Sequence, residues 1–224
     1  MKAFEKLMYP LLVVILVWVV YVSRTHTSYF ESQLVADDGL VTWAMFWTLM
    51  FASLMCIYRA IILKPFKRGT YFNMMLILQG AAFFFFAMDE ISWLQRVIGY
   101  SSPEFFQTRN VNGQTNFHDL VLMGFRLNEI VFTLTVKIVA TLYFFVLPFF
   151  YGRQEFLKQY VNQFAIPLPR YTQVGAYAVL ALFMLFIPSE NRHIVFEFCF
   201  YWILVLMMYN PLNDEIFSRR SLVR

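Results

Sequence analysis

Charge is scarce in this sequence. Only 14% of the 224 residues are Asp, Glu, Lys or Arg, where a soluble domain carries about 25%. Cysteine is scarcer still: Cys56 and Cys199 stand alone, each within an apolar run. Without a C-x-x-C pair or a Cys/His grouping, nothing points to a disulfide framework, a zinc site or a thiol oxidoreductase, and the two thiols read as small buried hydrophobes. The nucleophile pattern G-x-S-x-G is missing. Internal repeats, low-complexity tracts and linkers long enough to separate domains are missing too. The net charge of +4 is not a nucleic-acid footprint, because most Lys and Arg residues sit in short loops between apolar runs, where they serve orientation.

What is abundant is apolar and aromatic surface. Apolar residues make up 60% of the chain and aromatic residues 20%, including 27 Phe and 13 Tyr. One soluble core could not hide them, whereas a bilayer accepts them on the outside of the protein. A transmembrane helix needs about 20 mostly apolar residues. Six stretches qualify, at 7–23, 41–63, 71–88, 130–151, 171–187 and 194–209. The expected fold is therefore all-α, a polytopic membrane helical bundle forming one domain over 1–224. The first run follows Lys2 and Lys6, but Val22-Ser23-Arg24-Thr25-His26 offers no small-residue cleavage site, so it reads as a retained anchor.

Loop charges set an orientation. One side carries Lys2, Lys6, Arg59, Lys64, Lys67, Arg68, Arg153, Lys158, Arg170, Arg219, Arg220 and Arg224; the other carries only Arg24, Arg96, Arg109 and Arg192. Positive loops stay in the cytoplasm, which puts both termini there. On that side, the segment Glu155-Phe156-Leu157-Lys158-Gln159-Tyr160-Val161 has the pattern of a short surface helix.

The connection between the third and fourth spans, 89–129, is the most specific part of the chain. Asp89 and Glu90 end an apolar run, and carboxylates at that depth turn toward a bundle interior or a water-filled cavity. If the helix continues, Asp89, Trp93 and Arg96 share a face and Arg96 approaches the two acids. A polar run follows, from Asn110 through Asn112, Gln114, Thr115 and Asn116 to His118. It leads into an expected helix on which Asp119, Arg126 and Lys137 form one stripe and His118 and Glu129 the adjacent one. Lys137 then lies about 10 Å inside the span and calls for an acidic partner or a carbonyl-lined cavity. Glu190, Arg192, His193 and Glu197 add charge at the same end of the last span. His118, Asp119 and Glu129 have no diagnostic metal spacing, so no metal is assigned, and no cofactor is indicated.

These two polar stretches resemble a pattern in a group of uncharacterised bacterial multi-pass membrane proteins, E-E-I-S-W-G-Q-R followed by N-x-Q-N-E-T-N-L-H-N. The chain reads Asp89-Glu90-Ile91-Ser92-Trp93-Leu94-Gln95-Arg96 and then Asn110-Val111-Asn112-Gly113-Gln114-Thr115-Asn116-Phe117-His118-Asp119. The resemblance covers about thirty residues. Asp89 replaces a Glu, Leu94 replaces a Gly, and Gln114 stands where the pattern has a carboxylate. It implies a bacterial membrane setting and no particular activity. The E-E-x-x-x-R motif of intramembrane proteases of the CAAX-processing type is not matched, because Arg96 stands six residues after Glu90.

Three functions fit these residues. As an enzyme at the outer leaflet, the chain would use Glu90, His118 and Asp89 in acid–base catalysis. Arg96, Arg126, Glu129, Asn116 and Gln95 would bind a lipid-linked or anionic lipid substrate; histidine titrates near neutrality and arginine offers a two-pronged fork to phosphate. As a non-catalytic component, it would dock a protein partner or a second copy through the same cap. As a transporter, it would line a polar path with Lys137, Glu129 and Asp119. The expected surroundings are membrane lipids in each case, and nucleic acid in none.

Overall fold

The computed structural model describes residues 2–66, 69–127 and 135–218. Glu129 and the start of the fourth predicted span lie outside the described residues, as do Lys67, Arg68, Arg219, Arg220 and Arg224. The protein is nearly all-α. Four helices are long and apolar enough to cross a membrane: α1 (Ala3–Thr25), α2 (Leu40–Leu63), α3 (Thr70–Glu90) and α8 (Arg192–Tyr209). Between α3 and α8 run α4 (Glu104–Arg109), the strands β1 (Val121–Leu122) and β2 (Phe125–Arg126), α5 (Val136–Tyr151), α6 (Glu155–Gln163) and α7 (Tyr171–Phe186). Two of these, α5 and α7, are apolar but shorter than the other four. In α5 the turn Leu142–Val146 widens to π geometry just before Pro148, which has no N–H to give to a regular helical ladder.

Helix α8 is the centre of the bundle. It buries Phe198, Cys199, Phe200, Ile203 and the run Val205–Met208. Around it pack Leu16, Val19 and Val22 of α1, Met45 of α2, Phe144 of α5, and Tyr177 and Leu180 of α7. The outer faces carry large exposed apolar side chains, among them Leu7, Val14, Trp47, Leu54, Ile61, Ile77 and Leu78. A water-soluble protein seldom exposes so much contiguous apolar surface, whereas lipid solvates it.

Among the described residues, helices α2 and α3 share the most extensive contact. Gly80 makes this approach possible: a Cβ built on it would stand 3.1 Å from Ile57 Cγ1, 3.3 Å from Cys56 Cβ and 3.3 Å from the Ser53 carbonyl oxygen. The Ser53 hydroxyl donates to the Gly80 carbonyl at 2.8 Å, from helix to helix. Small residues bring backbones together where lipid removes the hydrophobic drive for association.

The two ends of the bundle are built differently. At one end, Lys2 and Arg59 both donate to the Tyr209 carbonyl, and Arg170 donates to the carbonyls of Asn210 and Pro211 while pairing with Asp214 at 3.1 Å. Beneath them Glu5, only 1% exposed, accepts from the Lys2 backbone N–H, Asn210 Nδ2 and Gln173 Nε2. At the opposite end, Arg24 donates to the Phe186 carbonyl, and Glu31 accepts from Ser189 and Asn191 at 2.7 Å each. That end also holds the segments on either side of α4.

The close contact at Gly80 makes a controlled test. Gly80→Leu should lower thermal stability in detergent by several degrees, the effect of overpacking by about 1–3 kcal/mol. Gly175→Leu is the matched comparison on α7, where nothing lies within 4 Å of the added Cβ, and it should be nearly neutral. Equal losses at both positions would show that the α2–α3 contact is not the constraint.

Candidate functional site

The site is built from the end of α3. The helix stops at Glu90, and Ser92, Trp93 and Leu94 take left-handed backbone angles, with φ of 49°, 55° and 62°. Each such non-glycine residue costs about 1–2 kcal/mol, so neighbours must hold the turn. Tyr100 does so by donating to the carbonyls of Ser92 and Trp93, and the Ser92 hydroxyl donates to Gln114 Oε1 at 2.9 Å. The expectation that Asp89, Trp93 and Arg96 share one helical face is therefore corrected. Arg96 pairs with the loop before α2 rather than with the acids of α3, with Nε 2.9 Å from Asp38 Oδ1 and Nη1 3.7 Å from Asp37 Oδ2.

Asp89 is buried, and both of its oxygens are committed. Oδ1 accepts the Phe117 N–H at 2.8 Å and Oδ2 the His118 N–H at 3.2 Å. The polar run 110–119 then closes on itself. Asn110 Oδ1 accepts the N–H groups of Asn112 and Gln114, and Asn110 Nδ2 donates to the carbonyl and Oδ1 of Asn116. Asn116 Nδ2 donates to Ser92 Oγ at 3.1 Å and to Asp119 Oδ2 at 3.3 Å. Gln95 accepts the Thr115 N–H at 2.7 Å and donates to Ser102 at 2.8 Å. Gln95 and Asn116 thus spend their polar ends within the protein, and Asp89 serves to anchor the loop.

Beyond Asp119 the chain forms a hairpin, which corrects the expectation of a helix starting near His118. Val121 pairs with Arg126 and Leu122 with Phe125. At the turn, Met123 and Gly124 have φ of 53° and 81°, the twofold positive φ that a two-residue hairpin requires and that Gly supplies easily. The helical stripe drawn through Asp119, Arg126 and Lys137 therefore does not exist, yet the three side chains still line one cavity.

Two adjoining cavities open at this end. The first, of about 250 Å³, brings together Asp89, Glu90, Arg96, Asn116, His118 and Arg126 from the sequence reading, with Asp37, Asp119, His193 and Glu197 as further walls. Gln95 is not among its lining residues, and Glu129 lies outside the described residues. The second cavity, of about 630 Å³, shares Asp119, Arg126 and His193 with the first and extends to Lys137, Arg192, Tyr177, Met184 and Phe196. Glu90 Oε1 accepts from the Tyr201 hydroxyl at 3.1 Å. Lys137, the residue for which an acidic partner was expected, lines a gap of about 40 Å³ together with Glu197 and Tyr201. Tyr201 was missed from sequence although a signal existed: it follows Glu197 by four residues, on the same face of α8, and a tyrosine hydroxyl in an apolar span needs a polar partner. Among the described residues, no group of three or more His, Cys, Asp or Glu side chains could hold a metal ion.

Burial holds the His118 imidazole below the ordinary histidine range; Asp119 and Asp37 pull it upward, and His193 adds to the lowering. His118 is accordingly neutral at pH 7, a proton acceptor rather than a cation. Its folded midpoint lies below its unfolded one, so stability is full above pH 6.5 and declines as pH falls through the folded midpoint, because the unfolded chain takes up the proton first.

Two measurements follow from this geometry. In carbon-13 histidine spectra, the signal lost in His118→Gln should titrate with a midpoint below 6.5; a midpoint at or above that value contradicts the burial argument. Asp89→Ala removes the acceptor of two loop N–H groups, a loss of about 1–3 kcal/mol for each group left unsatisfied. Hydrogen exchange of the Phe117 and His118 amides should then speed up by at least about tenfold, and unchanged exchange would show that Asp89 does not anchor the loop. Compared with protein-family models, curated proteins and solved structures, the chain shows no match.

Proposed function

We propose that this chain is a six-span bacterial inner-membrane protein with both termini in the cytoplasm, of the multi-pass group whose motif it resembles, and that it is an enzyme acting on a lipid-linked or anionic lipid substrate at the outer leaflet. The observation that carries this reading is the 250 Å³ cavity in which Glu90, His118 and Arg126 face one space at a helix end. The convergence of Lys2, Arg59 and Arg170 at the other end supports the orientation, since positive loops stay inside. Helices α5 and α7, apolar but shorter than the other four, count as the remaining two spans, with the bilayer thinned around them.

In this reading Glu90 is the general acid or base, held by the Tyr201 hydroxyl, and neutral His118 takes or returns a proton on the opposite wall. The two groups can divide the tasks because they sit in different surroundings. Arg126 meets the developing negative charge. Asp89, Ser92, Gln95 and Asn116 position His118 by holding its loop. Arg96 ties that loop to Asp37 and Asp38, next to Gly39, whose added Cβ would stand 2.6 Å from the Leu34 carbonyl oxygen. A second reading, a cap that docks a protein partner or a second copy, is favoured by the hairpin tip, where Met123 is 98% exposed beside exposed Leu122 and Phe125.

The test is turnover by the full chain in nanodiscs made from bacterial lipid extract, with products followed by mass spectrometry. Glu90→Gln and His118→Gln should each reduce turnover by at least about 100-fold, the range of a lost acid–base group, while the protein remains folded. The wild-type rate should fall as pH drops through the His118 midpoint, because the acceptor becomes protonated. A rate indifferent to both substitutions, or co-purification of a stoichiometric partner lost on Met123→Asp without any turnover, would replace the enzyme reading with the docking one.

A further inference from the structure

The 630 Å³ cavity is the feature that acid–base chemistry leaves unused. Its walls carry three cations, Arg126, Lys137 and Arg192, against two carboxylates, Asp119 and Glu190. Among the described residues the ion pairs are Arg96 with Asp37 and Asp38, Lys158 with Glu155, and Arg170 with Asp214. None of the three cavity cations therefore has an ion-pair partner within that set. Lys137 stands at the start of α5, with Nζ 5.8 Å from the centroid of the Phe196 ring. Glu197 shares the small adjoining gap with Lys137 and balances part of its charge, but the cavity walls carry one more cation than carboxylate, and an anionic ligand supplies the remaining charge.

The rest of the cavity is apolar. Tyr177, Ala181 and Met184 of α7 face Phe196 of α8. Lys137 and Thr141 of α5 form the remaining wall, on a stretch, Val136–Thr141, in which only Ala140 is buried. Its volume lies within the usual range of ligand sites, about 300–1,000 Å³, and far exceeds what a phosphate group alone occupies. Arg96, the arginine of the motif, is occupied by Asp37 and Asp38, which leaves the anion to this second group of cations.

We infer that this cavity binds a phosphate-bearing amphiphile, with its phosphate among Arg126, Lys137 and Arg192 and the first part of its tail against Tyr177, Met184 and Phe196. Asp119, Arg126 and His193 line both cavities, so the atoms next to the phosphate face Glu90 and His118. The inference rests on the proposed acid–base reading, because it names the class of substrate on which that chamber acts. Arg126 grips the phosphate through two N–H groups, while Lys137 and Arg192 set charge at its flanks.

The experiment is calorimetric binding to the full chain in detergent, with three probes: dioctanoyl phosphatidic acid, dioctanoylglycerol and inorganic phosphate. Phosphatidic acid should bind saturably and at least about tenfold more tightly than either of the others. Lys137→Met and Arg192→Gln should each weaken it by about tenfold, and Lys158→Met, which removes an exposed cation paired with Glu155 away from both cavities, should leave it unchanged. Arg192 is exposed at the cavity mouth, so its variant tests the site even if Lys137→Met fails to fold. Equal binding of dioctanoylglycerol would reduce the site to apolar contact, equal binding of inorganic phosphate would make it a free-anion site, and indifference to both cation variants would remove it; each result overturns the inference. Binding as expected without turnover would sink the acid–base reading alone, whereas turnover that requires Glu90 without phosphatidic acid binding would sink the inference alone.

Discussion

The interaction on which the site depends is the pair of hydrogen bonds from the backbone N–H groups of Phe117 and His118 to the Asp89 carboxylate. A carboxylate at the C-terminal end of a helix is poorly placed with respect to the helix dipole. It is stable there because two charge-assisted bonds compensate it. Those bonds pull the polar run back onto the end of α3, and with it the His118 side chain. They also keep Gln114 within reach of Ser92, and that bond together with those from Tyr100 holds the left-handed turn at Ser92, Trp93 and Leu94. Glu90, the next residue along the helix, is thereby left facing the cavity while Asp89 is used up in support.

The bundle places its polar effort at its two ends and keeps the middle apolar. At the Glu5 end, one carboxylate gathers α1, the start of α7 and the end of α8 through Lys2, Gln173 and Asn210. At the Asp89 end, one carboxylate gathers α3 and the loop before the hairpin. Between them the Ser53 hydroxyl donates to the Gly80 carbonyl from α2 to α3, where Gly80 lets the two helices approach. A bundle stapled at both ends can keep a water-sized gap near its centre, such as the one beside Lys137, Glu197 and Tyr201.

Much of this was legible in the sequence, and the failures have physical causes. The four long spans were visible because lipid imposes length and composition directly on the chain. The meeting of Asp89, Glu90, His118 and Arg126 was legible because charge is expensive at a helix end in a membrane. The local geometry was not legible. Extending α3 through Trp93 to Arg96 assumed right-handed backbone, which Ser92 abandons once Tyr100 and Gln114 offer it partners. Extending a helix from His118 to Lys137 ignored Met123-Gly124, a turn signal concealed by its apolar neighbours. Leu94 is the instructive position: where the resembling pattern has Gly, this chain has a residue with φ of 62°, so the departure marks a conformational demand rather than a chemical one.

The hairpin that displaced the expected helix carries a further consequence. Its ladder pairs Val121 with Arg126 and Leu122 with Phe125, and side chains along a strand alternate strictly between two faces. A shift of register by a single residue would exchange the faces, sending the arginine outward and a phenylalanine inward. The sign of charge on one wall of the chamber is therefore decided by parity, the even or odd count of residues around Met123 and Gly124. Length in this turn is a chemical variable of the site, as much as any side chain that lines it.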